Sequence, residues 1–139
     1  MSRSVILKVL PLAGAFVLLL AIPAGSATKV VFPANCGKPT FKPKSIVVAC
    51  ADANNRLTRI KWLTYGSRSA SGTATAKVND CDPNCVSGEV KNYPALVTLT
   101  RPRNCGGGVT QFTRLTETFT HSRPSGISKR LSVSFPCSS

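Results

Sequence analysis

Residues 60–85, IKWLTYGSRSASGTATAKVNDCDPNC, carry the only Trp of the chain, a Gly/Ser-rich bend and a CxxxC pair in one short run. A core anchor, a turn and a covalent staple therefore lie side by side, and none of the three is a catalytic device. The run RLTRIKWLTY, residues 56–65, alternates so that Thr58, Ile60, Trp62 and Thr64 share one face while Arg59, Lys61 and Leu63 share the other. That period of two predicts a strand with Ile60 and Trp62 pointing inward and the cations pointing out. YGSRSASG, residues 65–72, breaks the alternation. TATAKV, residues 73–78, then reads as a short strand of small residues suited to lie against a Trp. NDCDPNC turns tightly around Pro83.

The same strand-and-turn grammar extends in both directions. Upstream, KSIVVAC (44–50) is rich in β-branched residues and predicts a strand, and ADANN (51–55) supplies turn-forming Asp and Asn. Residues 28–43 contain Pro33, Pro39 and Pro43, which argues for an extended edge segment rather than a helix. Downstream, NYPALVTLTR (92–101) places Ala95, Val97 and Leu99 on one face, with Pro94 at the strand start, and RPRNCGGG (101–108) reads as a connection. VTQFTRLTETFT (109–120) is a Thr-rich strand whose apolar residues change parity between Phe112 and Leu115, predicting a bulge or a bend. ISKRLSVSF (127–135) sets Ile127, Leu131, Val133 and Phe135 on one face with Lys129. The expected core anchors are Ile60, Trp62, Val97, Leu99, Leu131 and Val133. No stretch after the leader keeps a helical period of apolar residues for three turns. The fold class is all-β: a small disulfide-stapled β-sandwich (Ig-like) or a partly open barrel of about six or seven antiparallel strands.

MSRSVILKVLPLAGAFVLLLAIPAGSA, residues 1–27, has the order of a secretory signal: Arg3 and Lys8, an apolar run over residues 12–22, then small residues. The run is short for a bilayer span and no stop-transfer pattern follows it. Cleavage is expected after Ala27, leaving a single β domain over residues 28–139 with no transmembrane segment. All six cysteines, Cys36, Cys50, Cys81, Cys85, Cys105 and Cys137, fall in that domain, an even count that reads as disulfides formed outside the cytoplasm. Six cysteines permit fifteen pairings, and the sequence does not choose among them. Nearest neighbours, Cys36 with Cys50, Cys81 with Cys85 and Cys105 with Cys137, are the expectation. Only Cys81 and Cys85 are close in sequence, which argues against a zinc site.

The chain has 18 basic and five acidic residues, a net charge of +13, so any partner that charge selects is anionic. Arg56, Arg59, Lys61, Arg101, Arg103, Arg114 and Arg130 are the candidate contacts. Their scatter, without a dense basic run or a platform of exposed aromatics, argues against nucleic acid. A solvated surface that keeps an exported protein soluble is the plainer reading of the same charge.

An enzyme needs a positioned acid, base or nucleophile. His121 is the only histidine, the carboxylates are Asp52, Asp80, Asp82, Glu89 and Glu117, and no Gly-x-Ser-x-Gly surrounds any serine. No catalytic residue and no cofactor are expected. Asp80, Asp82 and Asn84 follow the opening of a calcium loop, but Cys85 stands where its glycine belongs and Lys91 where its bidentate Glu belongs, so a turn explains the letters. Gly106 to Gly108 beside Arg101 and Arg103 resemble a phosphate cradle without the helix that would complete it, and a hairpin connection is the simpler use.

The series PKSIVVACADANN, IKWLTYG, ASGTATAKVNDCDPNC and VSGEVKNYPALVTLTRP resembles a group of small secreted actinobacterial proteins. Their pattern is a strand ending in Cys-Ala-Asp, a Trp strand and an Asn-Asp-Cys-x-Pro-x-Cys turn. The resemblance covers about residues 43–119. Tyr65 supplies the second aromatic expected after the Trp, and Cys105 and Cys137 look like additions to the pattern. Those proteins are described as uncharacterised, so the resemblance implies a secreted location and a β fold and adds no activity. The functional expectation is an exported, non-enzymatic binding or structural module that meets anionic cell-envelope polymer or an acidic protein. The alternative is a secreted inhibitor, for example of a protease, presenting CDPNC or RPRNCGGG as a stapled loop.

Overall fold

Strands dominate because apolar residues alternate with hydroxyl-bearing or charged ones, and successive side chains of a strand face opposite ways. The computed structural model describes residues 28–138, and the leader expected over residues 1–27 lies outside the described residues. The strands are β1 (Val30–Asn35), β2 (Lys38–Thr40), β3 (Ile46–Val47), β4 (Asn55–Tyr65), β5 (Ala70–Asn79), β6 (Val90–Asn104), β7 (Thr110–Phe119) and β8 (Arg130–Ser134). They form one sheet in the order β2-β1-β7-β6-β5-β4-β3, with β8 also paired to β7. The all-β fold is the one expected, in its partly open barrel form. The sheet is mixed rather than wholly antiparallel, since β1 runs parallel to β7 through Val30↔Thr110 and Val31↔Gln111.

A single sheet can enclose a core only by curling. The two ends of the strand order, β2 and β3, are consecutive in the chain, so residues 41–45 link them covalently. Trp62 Nε1 donates to the Pro43 carbonyl at 2.9 Å, and the Ile60 amide donates to the Lys44 carbonyl at 3.1 Å, fixing that link against β4. Disulfides join Cys36 to Cys50, Cys81 to Cys85 and Cys105 to Cys137. The nearest-neighbour pairing is therefore the one formed. The Cys36–Cys50 bridge ties the turn after β1 to the segment after β3, across the seam where the sheet stops pairing.

The core gathers Phe32, Ile46, Leu57, Val97, Leu99, Phe112, Leu115 and Phe119, all fully buried. Ile60 joins them, whereas the anchors Trp62, Leu131 and Val133 are only partly buried and pack against the rim of this cluster. The expected face of β4 is corrected by bulges. Leu57, not Thr58, shares the inward side with Ile60, because Arg59 has φ +52° and the register to β5 shifts between Thr58 and Lys61. A second shift, between Trp62 and Thr64, leaves Leu63 exposed and turns Tyr65 toward the core. Gly72 lies opposite Trp62 at that point, and an added Cβ would stand 2.5 Å from the Lys61 carbonyl oxygen, so the bulged strand needs glycine there.

Several boundaries also move. Of residues 44–50 only Ile46 and Val47 pair as strand, because the amides of Val48 and Ala49 both turn to the Asn55 carbonyl. β6 continues through RPRN to Asn104, shortening the expected connection, and it begins before Pro94. β8 keeps only the middle of the expected residues 127–135. The parity change in β7 needs no inserted residue, since the β6–β7 register runs unbroken. It coincides instead with φ +55° at Arg101, whose carbonyl accepts from Thr113 Oγ1 at 2.9 Å.

Candidate functional site: the outer face of the sheet

Residues directly opposite one another in neighbouring strands point to the same face, so the register defines ranks of side chains across the sheet. One outward rank runs Thr64, Ser71, Thr98, Thr116 and Ser132, one hydroxyl from each of β4, β5, β6, β7 and β8. The next rank is Lys61, Thr73, Leu96, Thr118 and Arg130. Beyond it come Thr58, Thr75 and Pro94, and then Arg56, Lys77 and Asn92. On the other side lie Thr100, Arg114 and Ser134. The spacing that produces this pattern is a Thr-x-Thr or Ser-x-Ser step on four successive strands: residues 73–75, 98–100, 116–118 and 132–134. A step of two puts both hydroxyls on the face away from the core, where Thr116 alone is buried among its neighbours, while the residue between them, Val133 or the buried Leu99 and Glu117, turns inward.

Internal hydrogen bonds order part of this array. Thr64 and Ser71 share a bond at 2.8 Å, and Thr116 and Ser132 one at 3.5 Å. The Arg114 guanidinium donates to Ser132 Oγ at 3.0 Å and Ser134 Oγ at 3.3 Å.

Among the described residues the face carries no carboxylate. Asp52 accepts from Asn54 at 2.8 Å, and Asp80, Asp82 and Glu89 belong to the segment between β5 and β6. Asp80 is held there by Lys91, 2.8 Å away, and by the amides of Glu89 and Asp82, which together keep its carboxyl down at about 2. This is the only ion pair among the described residues. Glu117 points into the barrel and is fully buried, with Oε2 accepting from Asn55 Nδ2 at 2.7 Å. Burial pushes its carboxyl above the usual carboxylate range, and the Asn55 bond opposes that only in part. Glu117 Oε1 and Asn55 Oδ1 have no partner of their own.

Of the expected cationic contacts, Arg56, Lys61, Arg114 and Arg130 share the outer face, and Lys77, which was not among them, joins Arg56 as its direct cross-strand neighbour. Arg114 is partly buried against its two serines, so it orders the surface more than it offers a free charge. Arg59 stands at the β4 bulge. Arg101 and Arg103 are exposed at the far end of β6, beside a cleft of about 400 Å³ lined also by Thr113, Ser134 and Pro136. They lie in a paired strand, Arg103 opposite Gln111, rather than in a presented loop. The expected cations thus separate into one group on the sheet face and one at the β6 end.

The remaining motifs resolve into turns. Asn84 Oδ1 accepts from the amides of Val86 and Ser87, and Asp80 Oδ1 from those of Asp82 and Glu89. Asn84 Oδ1 and Asp80 Oδ1 are thus spent on the backbone, and Asp80 Oδ2 on Lys91. Gly106, Gly107 and Gly108 all have positive φ and close the β6–β7 hairpin. His121 is exposed and its Nδ1 meets only Thr120 Oγ1, at 3.1 Å. Among the described residues no helix is long and apolar enough to cross a membrane. No family model, curated protein or solved structure matches the chain.

Proposed function

We propose that this protein is an exported, non-enzymatic module that binds anionic polymer of the cell envelope through the outer face of its sheet. The single observation that carries the reading is the Arg56–Lys77 pair. Like charges directly opposite each other in a sheet repel, and among the described residues no carboxylate lies on the face to offset them. An anion docked across the pair relieves that repulsion, so ligand binding and stability are linked. Three disulfides support an oxidising compartment.

The test is retention of the oxidised protein on an immobilised polyanion, eluted with a salt gradient beside a control protein of similar charge. Arg56→Ser with Lys77→Ser is expected to elute at lower salt and to reduce the salt slope by roughly one unit per cation removed. The charge-matched change Lys38→Ser with Arg123→Ser, away from the face, is expected to matter much less. Equal losses from both pairs would reduce the interaction to net charge alone.

A further inference from the structure

Attraction between a basic protein and a polyanion requires no hydroxyls, yet the cations of this face border a regular array of them. We infer that the face recognises an acidic polysaccharide, a chain bearing both carboxylates and hydroxyls, laid along the rank from Thr64 to Ser132. The inference rests on the polyanion reading and narrows it to one chemical class.

Three features of the surface carry it. The rank crosses five strands, about 19 Å at the usual interstrand spacing, with Thr64 and Ser132 exposed at its ends, Ser71 and Thr98 half-buried between them and Thr116 buried beneath their line, a length that suits an extended polymer rather than a single small anion. Hydroxyls in and beside it are also free to meet a ligand. Ser134, in the adjoining rank, accepts from the Arg114 guanidinium, which leaves its own proton for a ligand oxygen, while Ser132 accepts from the same guanidinium and lies 3.5 Å from Thr116 Oγ1. Thr73, Thr98 and Thr118 have no side-chain hydrogen-bond partner among the described residues, so they can both donate to and accept from sugar hydroxyls. Finally, the neighbouring rank has Lys61 at one end, Arg130 at the other and Leu96, 42% exposed, in the middle. Cations at both ends with an apolar side chain between them fit a ligand whose acid groups alternate with the carbon-bound faces of sugar rings.

Polygalacturonate is the probe, compared with polyacrylate of matched length and charge, which has carboxylates but no hydroxyls, and with dextran, which has hydroxyls but no charge. Wild-type protein is expected to bind polygalacturonate about tenfold more tightly than polyacrylate at moderate salt, the worth of one or two added hydrogen bonds, and to ignore dextran. Thr98→Val combined with Ser132→Ala is expected to abolish that preference and leave polyacrylate binding unchanged. Thr98→Ser, which keeps the hydroxyl, is expected to retain it, and thermal melts establish that each variant is folded. Equal affinity of wild type for the two polyanions, or a variant that weakens both alike, overturns the polysaccharide assignment while leaving the polyanion reading standing. Binding to neither polymer overturns both.

Discussion

The two faces of this sheet are built from alternate residues of the same strands and obey opposite rules. Inside, Phe112, Leu115 and Phe119 are excluded from solvent and packed against one another, and the one charged residue type admitted, Glu117, leaves an oxygen unpaired. On the opposite face, between them in sequence, Arg114 lies between Thr100 and Ser134, Thr116 between Thr98 and Ser132, and Thr118 between Leu96 and Arg130, with no carboxylate among these described neighbours. Stability therefore resides on the inner face, the proposed recognition belongs to the outer one, and substitutions one residue apart should separate the two properties.

The sharpest break is Phe112→Ala against Thr98→Val. Deleting a fully buried ring costs about 3–5 kcal/mol, enough to unfold much of a small domain, whereas the outward Thr98→Val is expected to stay within about 0.5 kcal/mol. Denaturant midpoints of the two variants give the comparison directly, and a large loss at Thr98 would mean that the outer face is structural.

Next in size are the disulfides, which hold the curl against the unfolded chain rather than against either face. Loop-closure entropy predicts about 3.7 kcal/mol for Cys105–Cys137, about 3.0 for Cys36–Cys50 and about 1.9 for Cys81–Cys85, from loops of 32, 14 and 4 residues. Pairwise Cys→Ser variants should melt in that order. A larger loss at Cys36–Cys50 than at Cys105–Cys137 would show that closing the seam between β1 and β3 adds native-state stability beyond loop entropy.

The smallest effect concerns the exception inside the barrel. Because burial raises the folded-state affinity of Glu117 for its proton, the associated stability is fully present below the unfolded value near 4.5 and is lost as pH rises toward the folded value. Glu117→Gln keeps a neutral group that can still accept from Asn55 Nδ2 and adds an amide donor for Asn55 Oδ1. The variant is expected to melt higher than wild type at pH 7 and to lose that advantage toward pH 4. A constant difference across the range would place the ionisation of Glu117 elsewhere in the balance.

How much of this was legible beforehand differs from strand to strand. Val97 and Leu99 alternate without interruption and lie in the core as expected. Thr58 does not, because the backbone at Arg59 takes a positive φ that no letter in RLTRIK announces, and every residue before the bulge exchanges faces. Trp62 shows a related limit. Its parity is inward, but its ring nitrogen is drawn to the Pro43 carbonyl, a partner that exists only because residues 41–45 close the barrel. The hydroxyl rank had a signal in the repeated Thr-x-Thr and Ser-x-Ser steps, yet the steps become a surface only when the register places them side by side.

Local chemistry by itself determined the strand content, the turns at Gly, Pro, Asn and Asp, and the basic excess. All of these depend on residues close along the chain, where sterics and period act directly. The tertiary structure decided the curl, the parallel pairing of β1 with β7, the burial of Glu117, and which of the scattered cations stand together. Those depend on strand register, which is set by pairing between segments far apart in sequence, and a shift of one residue reverses what each face presents.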